Sequence, residues 1–399
     1  MIMNTSKNDN YSSNCESLGK FFIPTKKDSD EFSETAKLMM KSGMIHKLSS
    51  GIYAWLPLGY KILSIVEKII SDKFEDIGFN RMCLPTLHPA SLWIETGRYE
   101  VYGKEMLKIK DRNESDLVFG PTAEEACVDM VRNKIKLHDL PVKVFNIQWK
   151  FRDELRPRYG IVRCREFLMC DGYSFHETEK DALDFYDNVS EAYKEVFDEL
   201  GLDVISKPAE TGEIGGSKSH EFLIESEIGE DTAVVDGVEK SFMELGHIFL
   251  LGTRYSEPMN LKVTNSENKT NALVMSCYGI GVSRLVGALV EKYSVENGIN
   301  WPKNIAPFKI TILNMCKDSE KADKTCEKIR RKFSKTTYIV SGKKSPGEKF
   351  AVSDLIGSPI KIIIGNKQLE SDSVEVRVIS DKTHYIKIDE IIDFLDKVI

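Results

Sequence analysis

The sequence predicts an α+β body of about 300 residues, with an antiparallel sheet flanked by helices, followed by a small α/β domain. Two patterns predict this fold class. Residues 21–300 carry runs of antiparallel-type strand segments between amphipathic helices, whereas residues 308–364 alternate strand and helix. The length of 399 residues, with 41% hydrophobic and 29% charged side chains, fits two or three domains. This composition excludes a disordered, collagen-like or disulfide-stapled chain.

Hydrophobic periodicity and helix breakers place the elements of the body. Helices are expected at 28–42, 60–77, 122–133, 178–200 and 281–292, and strands at 82–85, 105–110, 116–119, 142–151 and 162–169. Gly78 ends the second helix. Thr122 precedes two acidic residues, which is typical of a helix N-cap.

The pattern changes after residues 301–307, which are expected to form a linker. Strands are predicted at 308–315, 337–341 and 360–364, helices at 318–335 and 347–356, and two further strands and a terminal helix complete the tail. This alternation predicts a mainly parallel central sheet.

Charge divides along the same boundary. Residues 301–399 hold 19 Lys and Arg against 14 Asp and Glu, whereas residues 1–300 hold 36 against 48. An acidic body with a basic tail points to a polyanionic partner for the tail.

Cysteine usage and hydropathy bear on the compartment. The eight cysteines form no CxxC pair and have no His cluster at zinc spacing, so no structural metal site is expected. Scattered cysteines indicate reduced thiols and a cytoplasmic setting. No apolar run reaches the ~18 residues of a membrane span, and no membrane association is expected. Residues 1–19, rich in Asn and Ser, are expected to be a disordered extension.

The first segment that suggests chemistry is rich in arginine. Five of the 14 arginines lie at positions 152, 156, 158, 163 and 165, on a loop between two predicted strands. Strand alternation puts Arg152 and Glu154 on one face, where they suit a ligand with anionic and amine edges, such as a nucleoside triphosphate. A cross-strand ion pair worth ~0.2–1 kcal/mol, or a solvated basic loop, would also explain the pattern.

Three further segments carry weaker signals. Gly279 and Gly281 precede Arg284 in a helix first turn, where a bound phosphate would offset the unfavourable dipole interaction, but neither a Rossmann fingerprint nor a P-loop is complete. A helix N-cap at Thr122 with Glu124 in the first turn would by itself explain why these two residues occur here. A lone His247 is more often structural than a ligand.

Together these segments resemble a known family. The strings that carry the resemblance are Gly51–Gly59, Gly120–Thr122, Phe151–Arg158, Cys277–Arg284, Pro346–Ala351 and Asp354–Gly357. In this order they resemble bacterial-type prolyl-tRNA synthetases, which are class II aminoacyl-tRNA synthetases. The resemblance covers about residues 20–399. It implies a class II catalytic domain over 20–300 and an anticodon-binding domain over 301–399.

The resemblance implies a reaction and a set of site residues. The reaction is ATP-dependent activation of L-proline and its transfer to the 3′ end of tRNA(Pro), with Mg²⁺ on the phosphates. The matched ATP-binding positions are Arg152, Glu154, Arg163 and Arg284. Of these, Arg152, Glu154 and Arg284 match the catalytic positions. The matched proline-binding positions are Thr122, Glu124, Arg152, Asp171, His247 and Cys277. The resemblance does not assign any protein residue as a metal ligand.

The sequence departs from the family in several places. Ala123, Cys164, Cys170 and Leu250 stand where the family would have His, Gly, Lys and Gln. Only residues 223–245 occupy the place of the large editing domain, too few to form an independent core. We therefore expect a homodimeric ligase that does not hydrolyse alanyl-tRNA(Pro) in cis, which leaves room for a separate editing factor acting in trans.

Two alternatives remain open at this point. One is a related class II synthetase for threonine, serine or glycine, although the absence of a zinc-ligand cluster counts against threonine. The other is a non-catalytic synthetase-like protein that binds tRNA or a partner. Such proteins tend to lose Arg152, Glu154 or Arg284, and all three are present here.

Overall fold

The body is built around one large sheet. The computed structural model describes residues 21–399, with the exception of 27, 30, 213, 236, 341, 343 and 380. For residues 233 and 235 it describes the backbone and not the side chain. The predicted extension at residues 1–19 lies outside the described residues. The strands of the body are β1 (Ile45–Ser49), β2 (Ile52–Trp55), β3 (Asn80–Arg81), β4 (Leu87–Pro89), β5 (Leu107–Lys110), β6 (Asp116–Phe119), β7 (Val142–Phe151), β8 (Glu166–His176), β9 (Val204–Pro208), β10 (Lys218–Glu225), β11 (Asp231–Val235), β12 (Val238–Gly252), β13 (Lys262–Thr264), β14 (Thr270–Ala272), β15 (Val274–Ile280), β16 (Ser294–Val295) and β17 (Gly298–Ile299).

Helices accompany this sheet. They are α1 (Glu34–Lys41), α2 (Pro57–Asp76), α3 (Ala90–Glu95), α4 (Arg98–Val101), α5 (Glu124–Val131), α6 (Glu179–Glu199) and α7 (Val282–Tyr293), with a 3₁₀ turn at Leu137–Asp139. No helix among the described residues is long and apolar enough to cross a membrane.

The sheet has eight strands in the order β3-β7-β8-β15-β12-β10-β9, with β11 beside β12. Its pairs are antiparallel except for β3 with β7. The predicted α+β class is confirmed. Helices α2, α6 and α7 cover one face, because their apolar residues recur every three or four positions. A second core, including Trp93, Tyr173 and Phe249, covers the other face.

Several predicted boundaries of the body were wrong. The first helix begins at Glu34, after Ser33 as its N-cap, and not at residue 28. Residues 82–85 form no strand, because the pairing with β7 occurs at Asn80–Arg81 and Pro85 offers no N–H to a ladder. The cap of α5 is Ala123, not Thr122, whose hydroxyl is engaged elsewhere.

The tail forms a five-stranded sheet with helices. Its elements are β18 (Ile310–Asn314), α8 (Glu320–Lys332), β19 (Thr337–Val340), α9 (Pro346–Ile356), β20 (Ile360–Ile364), α10 (Asn366–Glu370), β21 (Ser373–Val378), β22 (His384–Lys387) and α11 (Ile391–Val398). The order is β19-β18-β20-β21-β22. Strands β19, β18 and β20 are parallel, but β21 and β22 are antiparallel. The expectation of a mainly parallel sheet therefore holds for only half of it.

The segment between body and tail is not an exposed linker. Trp301, Ile305 and Ala306 are buried in the core that α2 and α7 share with residues of the tail, such as Ile356. The backbone N–H of Trp301 also donates to the carbonyl of Gly357 over 3.2 Å. Body and tail therefore share apolar packing at residues 301–307.

Candidate active site

A cavity of about 610 Å³ opens on the sheet face that carries the second core. Strands β8, β12 and β15 supply its floor, and the loop between β7 and β8 and the start of α5 line its sides. All nine predicted site residues line this one cavity: Thr122, Glu124, Arg152, Glu154, Arg163, Asp171, His247, Cys277 and Arg284. The structure therefore brings together positions that are up to 162 residues apart in the chain.

Strand register explains how distant residues meet on the floor. His247 on β12 pairs with Gly279 on β15, which pairs with Asp171 on β8. Because neighbouring strands present paired residues to the same face, His247 and Asp171 flank Gly279. A methyl group on Gly279 would meet no protein atom closer than the His247 carbonyl oxygen at 3.8 Å. Gly279 therefore leaves a gap between two polar side chains.

Arg152 lies one residue beyond the end of β7. Its backbone N–H donates to the Arg165 carbonyl over 2.9 Å, and its Nε and Nη2 both donate to the Pro121 carbonyl over 3.3 Å. The guanidinium also lies 5.4 Å from the ring centre of Phe167. Within the described chain, no carboxylate oxygen lies within 4 Å of it. The remaining N–H groups of this half-buried cation are therefore available to an anionic ligand.

Glu154 pairs with Arg163 and not with Arg152. The carboxylate accepts from Arg163 over 2.9 Å and from the Arg156 backbone N–H over 2.9 Å. Although burial raises the pKa of Glu154, these hydrogen bonds lower it below its usual range. A residue that the sequence analysis missed, Glu230, also binds Arg163 and accepts from Arg158 over 2.5 Å. Arg163 is thus shared by two carboxylates, and the interpretation as a solvated basic loop is wrong for it.

Thr122 and Glu124 form the acceptor end of the cavity. The Thr122 hydroxyl donates to the Glu124 carboxylate over 2.8 Å, so its lone pairs are left to accept hydrogen bonds. Behind Glu124, Arg98 donates over 3.1 Å. Burial by itself raises the pKa of Glu124, but Arg98 and Thr122 lower it below the usual range. The site therefore presents an ionised carboxylate and a hydroxyl acceptor. Arg98 was not predicted from the sequence.

Asp171 and Cys277 complete the wall beside Glu124. Asp171 is paired with the fully buried Lys150 over 2.6 Å and accepts from the Asn146 amide over 3.3 Å. Burial raises the pKa of Asp171 despite the opposing charge of Lys150. Burial also raises the pKa of Cys277, together with the negative charge of Glu124, so its thiol stays protonated at neutral pH. A protonated thiol is a poor nucleophile.

His247 and Arg284 meet at Glu244. The Nδ1 of His247 lies 3.2 Å from Glu244 and 3.8 Å from Glu221, and its ring stacks on Phe249. Arg284 donates to the Glu244 carbonyl over 2.8 Å and to the Val162 carbonyl over 3.1 Å. Glu221, Glu244 and His247 each offer a ligand atom within 4.8 Å of the others, a group that the sequence analysis did not mark.

Comparisons with known proteins bear directly on this cavity. The class II tRNA synthetase core domain family (G, H, P, S and T) matches residues 107–293, and the anticodon binding domain family matches residues 307–398. A proline–tRNA ligase of Ehrlichia chaffeensis is 40% identical over 90% of this chain and 95% of its own length. The chain belongs to the prolyl-tRNA synthetase family. It is a proline–tRNA ligase with a class II core.

A further relative and two solved structures are also similar to this chain. The proline–tRNA ligase of Agrobacterium fabrum is 39% identical over 90% of this chain and 95% of its own length. The prolyl-tRNA synthetase of Cryptosporidium parvum, solved with halofuginone and AMPPNP, superposes with a TM-score of 0.79 at 21% identity, covering 96% of this chain and 79% of that one. The prolyl-tRNA synthetase of Giardia lamblia, solved with prolyl-adenylate, superposes with a TM-score of 0.78 at 20% identity, covering 90% of this chain and 77% of that one. These two structures support the fold.

The four departures from the family lie mostly away from the cavity. Cys170 and Leu250 belong to the core under α2, α6 and α7, on the opposite face of the sheet. Ala123 is packed in the second core. Of the four, only Cys164 lines the cavity, and burial raises its pKa to about 12. Three of these four positions therefore lie in packed cores, and one faces the cavity.

Proposed function

We propose that the cavity binds ATP and L-proline, forms prolyl-adenylate and transfers the prolyl group to tRNA(Pro). The observation that carries this proposal is the gathering of nine residues into one cavity with two chemically different ends. Arg152, Arg163 and Arg284 form a cationic end. Thr122 and Glu124 form an acceptor end that suits an ammonium group. A zwitterionic amino acid with its carboxylate towards Arg152 would fit between them.

The first step needs positioning and charge neutralisation and no protein nucleophile. A proline carboxylate oxygen attacks the α-phosphorus of ATP, a P–O bond forms, and the bond to pyrophosphate breaks. Negative charge on the reacting phosphate increases in this step, and the unused N–H groups of Arg152 would stabilise it. Arg163 and Arg284 would hold the outer phosphates, and Glu154 would lie near the base. The protonated Cys277 is consistent with this scheme.

Amine recognition would depend on two acceptors. The secondary ammonium of proline has two N–H groups, and Thr122 and Glu124 offer one acceptor each. Asp171, His247 and Cys277 would surround the ring. The gap at Gly279 leaves space between Asp171 and His247.

The donor set near Arg284 also fits Mg²⁺, because the carboxylates of Glu221 and Glu244 are oxygen ligands within reach of one another. Glu221 and Glu244 would hold the ion, with His247 fixing Glu244 through its hydrogen bond. When bound, Mg²⁺ would neutralise part of the phosphate charge.

The second step would use the tail. A hydroxyl of the terminal adenosine attacks the prolyl carbonyl, a C–O ester bond forms, and AMP and a proton leave. We propose residues 20–300 as the catalytic domain and residues 301–399 as the anticodon-binding domain. The excess of Lys and Arg in residues 301–399 supports this division, since phosphate contacts dominate RNA affinity.

Editing in cis is not part of this proposal. Strands β10 and β12 pair through residues 218–250, and β11 folds back on β12, so residues 223–245 extend the large sheet. The relatives named above are matched over 95% of their own lengths, which leaves little of them for a further domain. Incubating the pure protein with alanyl-tRNA(Pro) is expected to give hydrolysis at the uncatalysed rate. Rapid hydrolysis would overturn this part, and its absence leaves room for an editing factor in trans.

A cytoplasmic homodimer is the proposed assembly. Large apolar side chains are exposed around α1 and α2: Phe32 is 99%, Leu48 67% and Tyr60 55% exposed. A second copy would cover such a surface. Sedimentation equilibrium is expected to give twice the chain mass of 45.3 kDa, and a monomer at micromolar concentration would contradict it.

Amino-acid-dependent exchange of pyrophosphate into ATP tests the proposed function. Proline is expected to support exchange, while threonine, serine and glycine are not. Exchange with another of these amino acids and not with proline would favour a related synthetase. No exchange with any amino acid, combined with retained tRNA binding, would favour the non-catalytic alternative.

A further inference from the structure

A buried arginine outside the cavity lies behind the acceptor end. Arg98 at the start of α4 has a side chain that is only 2% exposed. One nitrogen, Nη1, donates to Glu124 over 3.1 Å and to both oxygens of Glu125 over 3.0 and 3.1 Å. Arg98 does not line the cavity, whereas Glu124 does. It therefore reaches a ligand only through Glu124.

Aromatic rings enclose this guanidinium. Its carbon lies 4.9 Å from the ring centre of Trp93, 5.4 Å from that of Tyr102 and 5.3 Å from that of Tyr255. Its Nε and Nη2 are buried without a hydrogen-bond partner in the described part of the chain. Only Nη1 is thus engaged with carboxylates, while the rings restrict the rest of the group. Arginine is well suited to this combination of planar stacking and directed donation.

The two glutamates share one guanidinium. Glu125 also accepts from the Thr96 hydroxyl over 2.8 Å, so it is fixed by the same loop that carries Arg98. Glu124 is held by Thr122 on the cavity side and by Arg98 on the other. Without Arg98, Glu124 would lose its donor on the side away from the cavity. Two buried acidic groups would then lie side by side with no guanidinium between them, which disfavours the ionised form of each.

We propose that Arg98 is a positioning residue for amino-acid recognition, which keeps Glu124 ionised and oriented to accept the ammonium group of proline. This inference rests on the proposed function, because it takes Glu124 as the amine acceptor. Replacement of a whole buried ion pair by apolar residues is often tolerated, but removal of one partner leaves an uncompensated buried charge and is usually destabilising. The role of Arg98 in recognition is therefore separated from its role in folding by comparing substrates, by a conservative variant and by rescue.

The test compares Michaelis constants for the two substrates in pyrophosphate exchange. Arg98→Met keeps side-chain length and removes the charge. We expect its KM for proline to rise at least 30-fold while its KM for ATP stays within threefold of the parent. Arg132→Met is the matched control, because Arg132 pairs with Glu95 and Asp129 outside the cavity. It should leave both constants within twofold.

Rescue separates positioning from packing. In the double variant Arg98→Met with Glu125→Gln, the amide beside Glu124 can donate to its carboxylate in place of the lost guanidinium. We expect at least tenfold recovery of the KM for proline. If Arg98→Met does not fold, Arg98→Lys is measured instead, with a smaller rise that is again confined to proline. Equal rises in both constants, no rise, or no rescue would each overturn the inference.

Variants of Glu124 itself keep the two proposals distinguishable. Glu124→Gln and Thr122→Val should each raise the KM for proline. If neither does, the assignment of the acceptor end in the proposed function fails. If both do and Arg98→Met leaves the KM for proline unchanged, only the inference about Arg98 fails.

Discussion

Replacing Arg152 by lysine is expected to reduce kcat/KM for proline activation by about 100-fold or more. Lysine keeps the positive charge but has no planar fork, so it cannot donate to the Pro121 carbonyl and to a ligand in the present geometry. Removal of one donor aimed at developing charge typically costs ~10²–10³ in rate, or about 3–4 kcal/mol. Loss of this order is expected because the guanidinium, alone among the three arginines of the cationic end, has no carboxylate within 4 Å in the described residues.

Stability should change far less than activity. The folded chain loses hydrogen bonds to one carbonyl, worth ~1 kcal/mol, and a contact with the Phe167 ring worth ~0.5–1 kcal/mol. For a chain of this size, such losses correspond to a fall in thermal midpoint of a few degrees. The loss of activity would thus occur in a folded protein.

The assay is pyrophosphate exchange at saturating ATP, with proline varied, alongside thermal denaturation. Arg165→Lys is the control, because Arg165 lies on the same loop but donates to the Glu154 carbonyl and does not line the cavity. It should retain at least one third of the parent kcat/KM. An Arg152→Lys variant with activity within threefold of the parent would refute the reasoning.

Three further predictions follow from the same geometry. Gly279→Ala should raise the KM for proline without lowering the thermal midpoint, because the new methyl enters the cavity and meets no protein atom within 3.8 Å; an unchanged KM would contradict this. Glu230→Gln should lower the KM for ATP up to about fivefold, because Arg163 is released from one of two carboxylates; a raised KM would count against it. Burial and the charge of Glu124 raise the pKa of Glu125 to about 7, against ~4.3 unfolded, so its protonation stabilises the fold at low pH and this contribution is lost as pH rises through 7. In urea denaturation, the free energy of unfolding of Glu125→Gln should therefore rise relative to that of the parent between pH 4.5 and pH 8, and a pH-independent difference would contradict it.

The sequence was informative where short strings carry the site. Arg152, Glu154 and Arg284 lie in local motifs, and the resemblance of these motifs to the family implied their roles, which strand and helix placement alone had left open. Their partners were harder, because the Arg163–Glu230 contact joins residues that are 67 positions apart. No local pattern marks Glu230, since it lies in a short segment whose position depends on the pairing of β11 with β12.

Arg98 illustrates the same limit. Its three aromatic neighbours are spread from residue 93 to residue 255, so only the folded chain reveals the enclosure. In the tail, by contrast, the antiparallel strands could have been predicted. Eight residues, 365–372, separate β20 from β21, and a parallel crossover needs a dozen or more. The short connection thus indicates an antiparallel pair, whereas strand–helix alternation alone predicts a parallel one.

The most direct test of the account is aminoacylation of tRNA(Pro) by the unaltered protein with proline, alanine and cysteine side by side. We expect prolyl-tRNA(Pro) to form faster than the alanyl or cysteinyl product, with consumption of ATP. Any alanyl-tRNA(Pro) that forms should be hydrolysed only at the uncatalysed rate. Failure to charge tRNA(Pro) with proline, or enzyme-dependent loss of the alanyl ester, would contradict the account.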